Sequence, residues 1–247
     1  MREDFSVEHD GRKTNANVYW PEKEGKVPAV IFSHGYNENM ENYQETAEYY
    51  SNQGFAFIRI SFCGGGPLDT SGYPSTEMSI LTEIEDLYAL FNEISSWERI
   101  DKENIFLFGD SMGGLVSALT AAKLGDKIKA LLLLFPALGV PEGWAGMFSK
   151  AEDMPEPMDF MGLPLGRKFY IDACKINTFE TISAYEGPVL IMHGLEDPVA
   201  PYINSEKALT VLKNAKLRLF HKEGHGFSDY GSRRMEAMAM SFIEEII

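Results

Sequence analysis

The chain has 247 residues, 45% hydrophobic and 24% charged, ordinary globular proportions that exclude a disordered, collagenous or coiled-coil chain. Twenty-two basic against 37 acidic residues give a formal net charge of −15 with the basic ones scattered, which argues against nucleic acid or an anionic membrane surface as a partner. A chain of this length buries roughly three quarters of its unfolded surface, enough for a single domain over residues 1–247 without metal or disulfide staples.

Cys63 and Cys174 lie far apart without metal-ligand spacing, and they read as free thiols in a reducing compartment rather than as a disulfide. The acidic start Met1-Arg2-Glu3-Asp4-Phe5 has no apolar stretch of signal-peptide type. The longest apolar run, Ala130 to Val140, is broken by Pro136 and Gly139 and falls short of the roughly twenty residues that span a bilayer. A cytoplasmic protein with no metal, no other cofactor and no membrane partner is expected, and a homodimer is left open.

In chain order, His9-Asp10-Gly11-Arg12 between alternating polar and apolar runs predicts an antiparallel hairpin at the sheet edge. Buried-strand runs follow at Pro28 to Ser33, Phe55 to Ile60, Asn104 to Gly109, Lys129 to Phe135, Pro188 to His193 and Lys216 to Phe220. Helical periods fall between and after them at Glu41 to Asn52, Ile80 to Trp97, Met112 to Leu124, Tyr202 to Leu212 and Ser232 to Ile246. The alternation predicts an α/β fold, a mostly parallel doubly wound sheet covered on both faces. Residues 136–181 break the rhythm with five prolines and a cluster of Trp144, Met147, Phe148, Met154, Met158, Phe160 and Met161. Such a stretch is too long for a plain connection and reads as a small inserted lid. Its adaptable side chains, Trp144 among them, either grip a hydrophobic or aromatic ligand or pack the insertion onto the core.

Gly109-Asp110-Ser111-Met112-Gly113 follows an apolar strand and opens a helix, the context in which a Gly-x-Ser-x-Gly turn projects a nucleophilic serine above the sheet. A phosphate-binding turn fits less well, because no Lys follows. A serine alcohol needs a histidine base and a carboxylate to orient it. His225, in Gly224-His225-Gly226-Phe227, lies in a loop at the carboxyl edge of the sheet, where chemistry in open α/β sheets collects. His34, His193 and His221 read as structural or solvated. Asp197, beside Pro198 after the preceding strand, is the carboxylate, with Glu196 its close rival. The chain order Ser111, Asp197, His225 is then that of a Ser…Asp…His triad. In Ser33-His34-Gly35-Tyr36, a loop amide could point at the serine Oγ, so the oxyanion-hole donors would be the backbone N–H groups of Tyr36 and Met112.

With these residues placed, the whole chain resembles the α/β-hydrolase superfamily, and within it the small bacterial carboxylesterases that include feruloyl and cinnamoyl esterases. Ser33 to Tyr36, Gly109 to Gly114, Gly194 to Pro201 and Gly224 to Phe227 carry the resemblance. It implies an α/β-hydrolase fold, a serine carboxylesterase acting on small aromatic esters of the hydroxycinnamoyl or feruloyl type through an acyl-enzyme, and a small-molecule ester as the partner. It also implies that the insertion closes over the acyl or phenolic part, with Tyr170 resembling a lid tyrosine that meets a phenolic hydroxyl. A thioesterase or peptidase on the same triad, or a non-catalytic binding protein of the same fold, are the alternatives. Two departures bear on the substrate: Ser61-Phe62-Cys63-Gly64-Gly65-Gly66 stands where relatives often carry Asp-Phe-x-Gly-x-Gly, and Asp110 stands where His or Glu is commoner.

Overall fold

A computed structural model describes residues 1–247. Strands β1 (Arg2–His9) and β2 (Arg12–Tyr19) form the predicted hairpin. Its turn residues Asp10 and Gly11 both have positive φ, 46° and 74°, the twist that a tight two-residue hairpin requires. The chain continues through β3 (Val27–Ser33), α1 (Gln44–Asn52), β4 (Ala56–Ser61), α2 (Ile80–Ser96), β5 (Ile100–Asp110), α3 (Ser111–Leu124) and β6 (Ala130–Leu134). From residue 136 onward come α4 (Val140–Met147), a short antiparallel pair β7 (Met158–Phe160) and β8 (Leu163–Leu165), then α5 (Arg167–Ala173) and α6 (Thr178–Ile182), which ends one residue past 181. The last elements are β9 (Val189–Gly194), α7 (Ile203–Ala208), β10 (Ala215–Phe220) and α8 (Asp229–Glu244).

The main sheet has eight strands in the order β1-β2-β4-β3-β5-β6-β9-β10. β2 runs antiparallel to β4, and the strands from β4 to β10 are mutually parallel. From β3 the chain steps to β4 on one side and later returns to β5 on the other. The order therefore reverses at β3, and a crevice opens at the carboxyl ends of β3 and β5.

Alternation along the parallel strands divides the core in two. Ile31, Leu107, Leu131 and Ile191 face a cluster completed by Leu87 and Leu90 of α2 and Leu115 of α3. Their neighbours Phe32, Phe108, Leu132 and Met192 face Tyr50 of α1 and Met235, Ala239 and Ile243 of α8. Both faces of these strands are apolar because helices cover both, which is why they read as continuous apolar runs.

Boundaries differ from the periodic reading where local groups intervene. α1 starts at Gln44 rather than Glu41, because Tyr43 sits in the left-handed region at φ 61° and Arg59 ties down the preceding turn through the Glu41 and Asn42 carbonyls. α8 starts at Asp229, ahead of Ser232, because the Ser228 hydroxyl accepts the Gly231 N–H at 3.2 Å as its cap. β5 begins at Ile100, earlier than Asn104, with an irregularity against β3 between the Ile100 and Ile105 pairings. α7 ends at Ala208 rather than Leu212 and passes into a turn. No helix is long and apolar enough to cross a membrane.

One buried carboxyl makes the fold sensitive to pH. Glu83 on α2 is 1% exposed and its Oε2 has no hydrogen-bond partner. Burial, then the charge of Asp86, raises its pKa well above the usual carboxylate range. The native state therefore favours the protonated form, and stability contributed by this group is greatest below the unfolded pKa and is lost as pH rises toward the folded one. Glu83→Gln stays neutral throughout. Its unfolding midpoint relative to wild type is expected to rise between pH 5 and pH 8, and parallel profiles over that range would contradict this assignment.

Candidate active site

Ser111 opens α3 with φ 48°, a left-handed conformation that an ordinary residue adopts only under strain. Two glycines make the turn possible by close approach. A Cβ on Gly109 would stand 2.3 Å from the Gly113 carbonyl oxygen, and one on Gly113 would stand 2.2 Å from that of Ser33. The turn thereby packs against the end of β3 and aims the Ser111 side chain into the crevice.

The His225 imidazole meets Ser111 there, with Nε2 2.9 Å from Oγ, and its Nδ1 lies 2.8 Å from Asp197 Oδ2. These three residues leave the ends of β5, β9 and β10, so the sheet brings together groups that are distant in the chain. The Asp197 side chain is fully buried and its Oδ1 accepts the Val199 and Ala200 N–H groups, each at 2.8 Å. Burial pushes this carboxyl up, but the hydrogen bonds from His225, Ala200 and Val199 outweigh it and hold its pKa below the ordinary value. An ionised Asp197 accepts from Nδ1–H, which leaves Nε2 free to accept the serine proton. The Phe135 ring packs 4.8 Å from the imidazole.

His193 was expected to be structural, and its contacts show what it supports. Nε2 lies 2.7 Å from the Ala200 carbonyl oxygen and 3.2 Å from Asp197 Oδ2. A carbonyl only accepts, so Nε2 carries the hydrogen, and Nδ1 accepts from the Ser205 hydroxyl at 2.8 Å. Burial lowers the His193 pKa and keeps the ring neutral. His34 holds the opposite loop. Burial lowers its pKa to about 4, its Nε2 accepts the Phe62 N–H at 3.2 Å, and Nδ1–H donates to the Gly35 carbonyl at 2.7 Å.

Tyr36 and Met112 both border Ser111 in one cavity of about 370 Å³. The Tyr36 N–H has no acceptor within the chain, and that of Met112 lies in the first turn of α3, where helix amides are free. The Tyr36 hydroxyl donates to the Phe160 carbonyl at 3.0 Å and Asn37 donates to that of Met161 at 3.0 Å, so the β7–β8 pair is clasped onto the same loop.

The far wall is aromatic. Trp144 lines the cavity and packs against Phe160 and Phe169 at 5.0 and 4.9 Å between ring centroids, both of which also line it. Tyr170 stands outside the cavity: its hydroxyl donates to the Phe148 carbonyl at 2.8 Å, and its neighbour Phe169 faces inward instead. Cys63 is buried, and burial with the Asp86 charge pushes its thiol up to about 12, a neutral side chain rather than a nucleophile. Glu38, Tyr43 and Asp110 also border Ser111, and the sequence reading did not single them out as site residues.

The parallel sheet, the strained serine turn and the Ser-His-Asp array define an α/β-hydrolase of the serine hydrolase class. Residues 26–161 match the family described as Serine aminopeptidase, S33, and the chain belongs to that family. It is similar to the structure described as ferulic acid bound to Est1E from Butyrivibrio proteoclasticus, at TM-score 0.88 and 27% identity over 98% of this chain and 99% of that one. The non-heme haloperoxidase of Rhodococcus erythropolis is 38% identical over 66 residues, 26% of this chain and 24% of the relative. The lysophosphatidylserine lipase ABHD12 of Danio rerio is 25% identical over 216 residues, 82% of this chain and 52% of the relative. The chain thus covers 24% and 52% of the lengths of these two curated relatives.

Proposed function

We propose that this serine hydrolase is a carboxylesterase acting on small aromatic esters of the hydroxycinnamoyl type. Ser111 attacks the ester carbonyl while His225 takes its proton, and the Tyr36 and Met112 amides receive the charge that develops on the carbonyl oxygen. His225 then delivers the proton to the leaving alcohol, and water activated by the same imidazole releases the acid from Ser111. Losing one oxyanion donor typically costs on the order of 10² to 10³ in rate.

The observation that carries the reading is the pairing of the Ser111–His225 contact at 2.9 Å with an aromatic wall of Trp144, Phe160 and Phe169 in one cavity. Residues 136–181 act as the lid of that cavity, with Trp144 as a substrate contact. Similarity to a protein whose structure holds ferulic acid supports the acyl class. The free thiols Cys63 and Cys174 accord with a reducing compartment such as the cytoplasm.

A panel of methyl hydroxycinnamates against short-chain aliphatic esters tests the substrate class. The hydroxycinnamates are expected to give the higher kcat/KM by about tenfold or more, as burying a ring in place of a short alkyl chain predicts. A preference for straight acyl chains would remove the aromatic assignment and leave the mechanism intact.

A further inference from the structure

One wall of the cavity carries polar groups that the catalytic array does not use. Gly35 lies between two carboxyl groups: a Cβ built there would stand 3.0 Å from Asp110 Oδ2 and 3.7 Å from Glu38 Cδ. Asp110 is 2% exposed and borders the cavity, yet its Oδ1 has no hydrogen-bond partner. Glu38 Oε2 is buried and unpartnered in the same way. No Lys or Arg lines the cavity to neutralise them. Buried acceptors without a partner in the protein cost free energy, and a ligand carrying donors would recover it.

The charge state of the pair limits what that ligand is. Burial raises the pKa of Glu38, and burial together with the Glu38 charge raises that of Asp110 well above the usual range, with the adjoining Tyr43 hydroxyl offsetting only part of this. Both carboxyls thus favour the protonated form more than an exposed pair would, and a protonated member presents an O–H donor beside free acceptor oxygens, the complement of neutral hydroxyl groups. Its position selects the part of the substrate concerned. Glu38 and His225 line the same cavity, and His225 is the group that hands a proton to the departing alcohol.

We propose that Glu38 and Asp110 form a subsite that hydrogen-bonds hydroxyl groups on the alcohol part of the substrate, so that esters of polyhydroxy alcohols are favoured over esters of simple alkanols. The proposal rests on the esterase reading above and specifies the side of the ester on which that reading is silent. A pocket built to bond a hydroxyl discriminates strongly against the analogue that lacks it, because its own groups are then left unpaired.

The test compares the 2,3-dihydroxypropyl, methyl and choline esters of one hydroxycinnamic acid, with wild-type protein and with Glu38→Met and Glu38→Gln. Wild type is expected to favour the dihydroxypropyl over the methyl ester by about tenfold in kcat/KM, the scale of one good hydrogen bond. Glu38→Met should bring that ratio near one, and Glu38→Gln, which keeps an acceptor oxygen, should retain most of it. Labelling of Ser111 by a fluorophosphonate verifies that each variant is folded. A wild-type ratio near one overturns the proposal whatever the variants do, and so does a ratio that Glu38→Met leaves unchanged. A Glu38-dependent preference for the choline ester makes the pair a cation site and overturns the hydroxyl assignment. Failure to hydrolyse any of the three overturns the hydroxycinnamoyl reading and this proposal with it, whereas hydrolysis at equal ratios overturns this proposal alone.

Discussion

Ser111→Ala is expected to lower turnover of an activated aryl ester by about a millionfold, the scale on which removal of a triad nucleophile acts. The effect is this large because nothing else in the cavity replaces Oγ. Cys63 is buried with its thiol protonated, and Ser111 Oγ, 2.9 Å away, is the hydroxyl that bonds His225 Nε2. Residual rate should come from the amides and from substrate binding alone. The same variant should fail to react with a fluorophosphonate probe that labels wild type. Near-wild-type turnover in a pure sample, or labelling that persists without Ser111, would remove the serine from the mechanism, whereas a wild type that neither turns over nor labels would favour a protein that kept the fold without the chemistry.

Asp197→Asn should cost about ten-thousandfold in kcat with little change in structure. Two backbone N–H groups, from Val199 and Ala200, point at Oδ1, so the amide oxygen of the asparagine settles there. Its NH2 group then faces His225 Nδ1, which must accept rather than donate. The imidazole hydrogen moves to Nε2, and the ring can no longer take the proton of Ser111. Activity close to wild type in this variant would show that Asp197 does not set the tautomer. His193 makes the effect of full truncation different in kind: its Nε2–H also lies 3.2 Å from Oδ2, so removing the carboxylate takes a partner from two imidazoles at once.

The nucleophile turn was legible because its requirements are local. A left-handed serine and two crowded glycines leave a five-residue signature, and the strand before it and helix after it show in hydrophobic period alone. Asp197 and His225 were legible by position, each just past a buried strand, since parallel strands deliver their following loops to one edge. Glu38 was not, because its significance lies in its closeness to Asp110 across the crevice, and spacing along the chain says nothing of that. His193 reads from sequence as a core residue, which it is; only its second neighbour, Asp197, reveals what it supports. Tyr170 and Phe169 could not be told apart, because which side of α5 faces the cavity depends on how the β7–β8 pair docks onto Tyr36 and Asn37. Helix starts moved by a few residues where a single group, such as the Ser228 cap or the left-handed Tyr43, overrode period.

Ser111, Asp197 and His225 all lie outside residues 136–181, while Trp144, Phe160 and Phe169 all lie within them. The catalytic residues and the aromatic wall of the cavity therefore have separate addresses in the polypeptide. A graft that exchanges only this stretch for that of another hydrolase of the same topology would inherit a new aromatic wall while keeping its engine, provided that the incoming hairpin still offers a carbonyl for the Tyr36 hydroxyl to grasp.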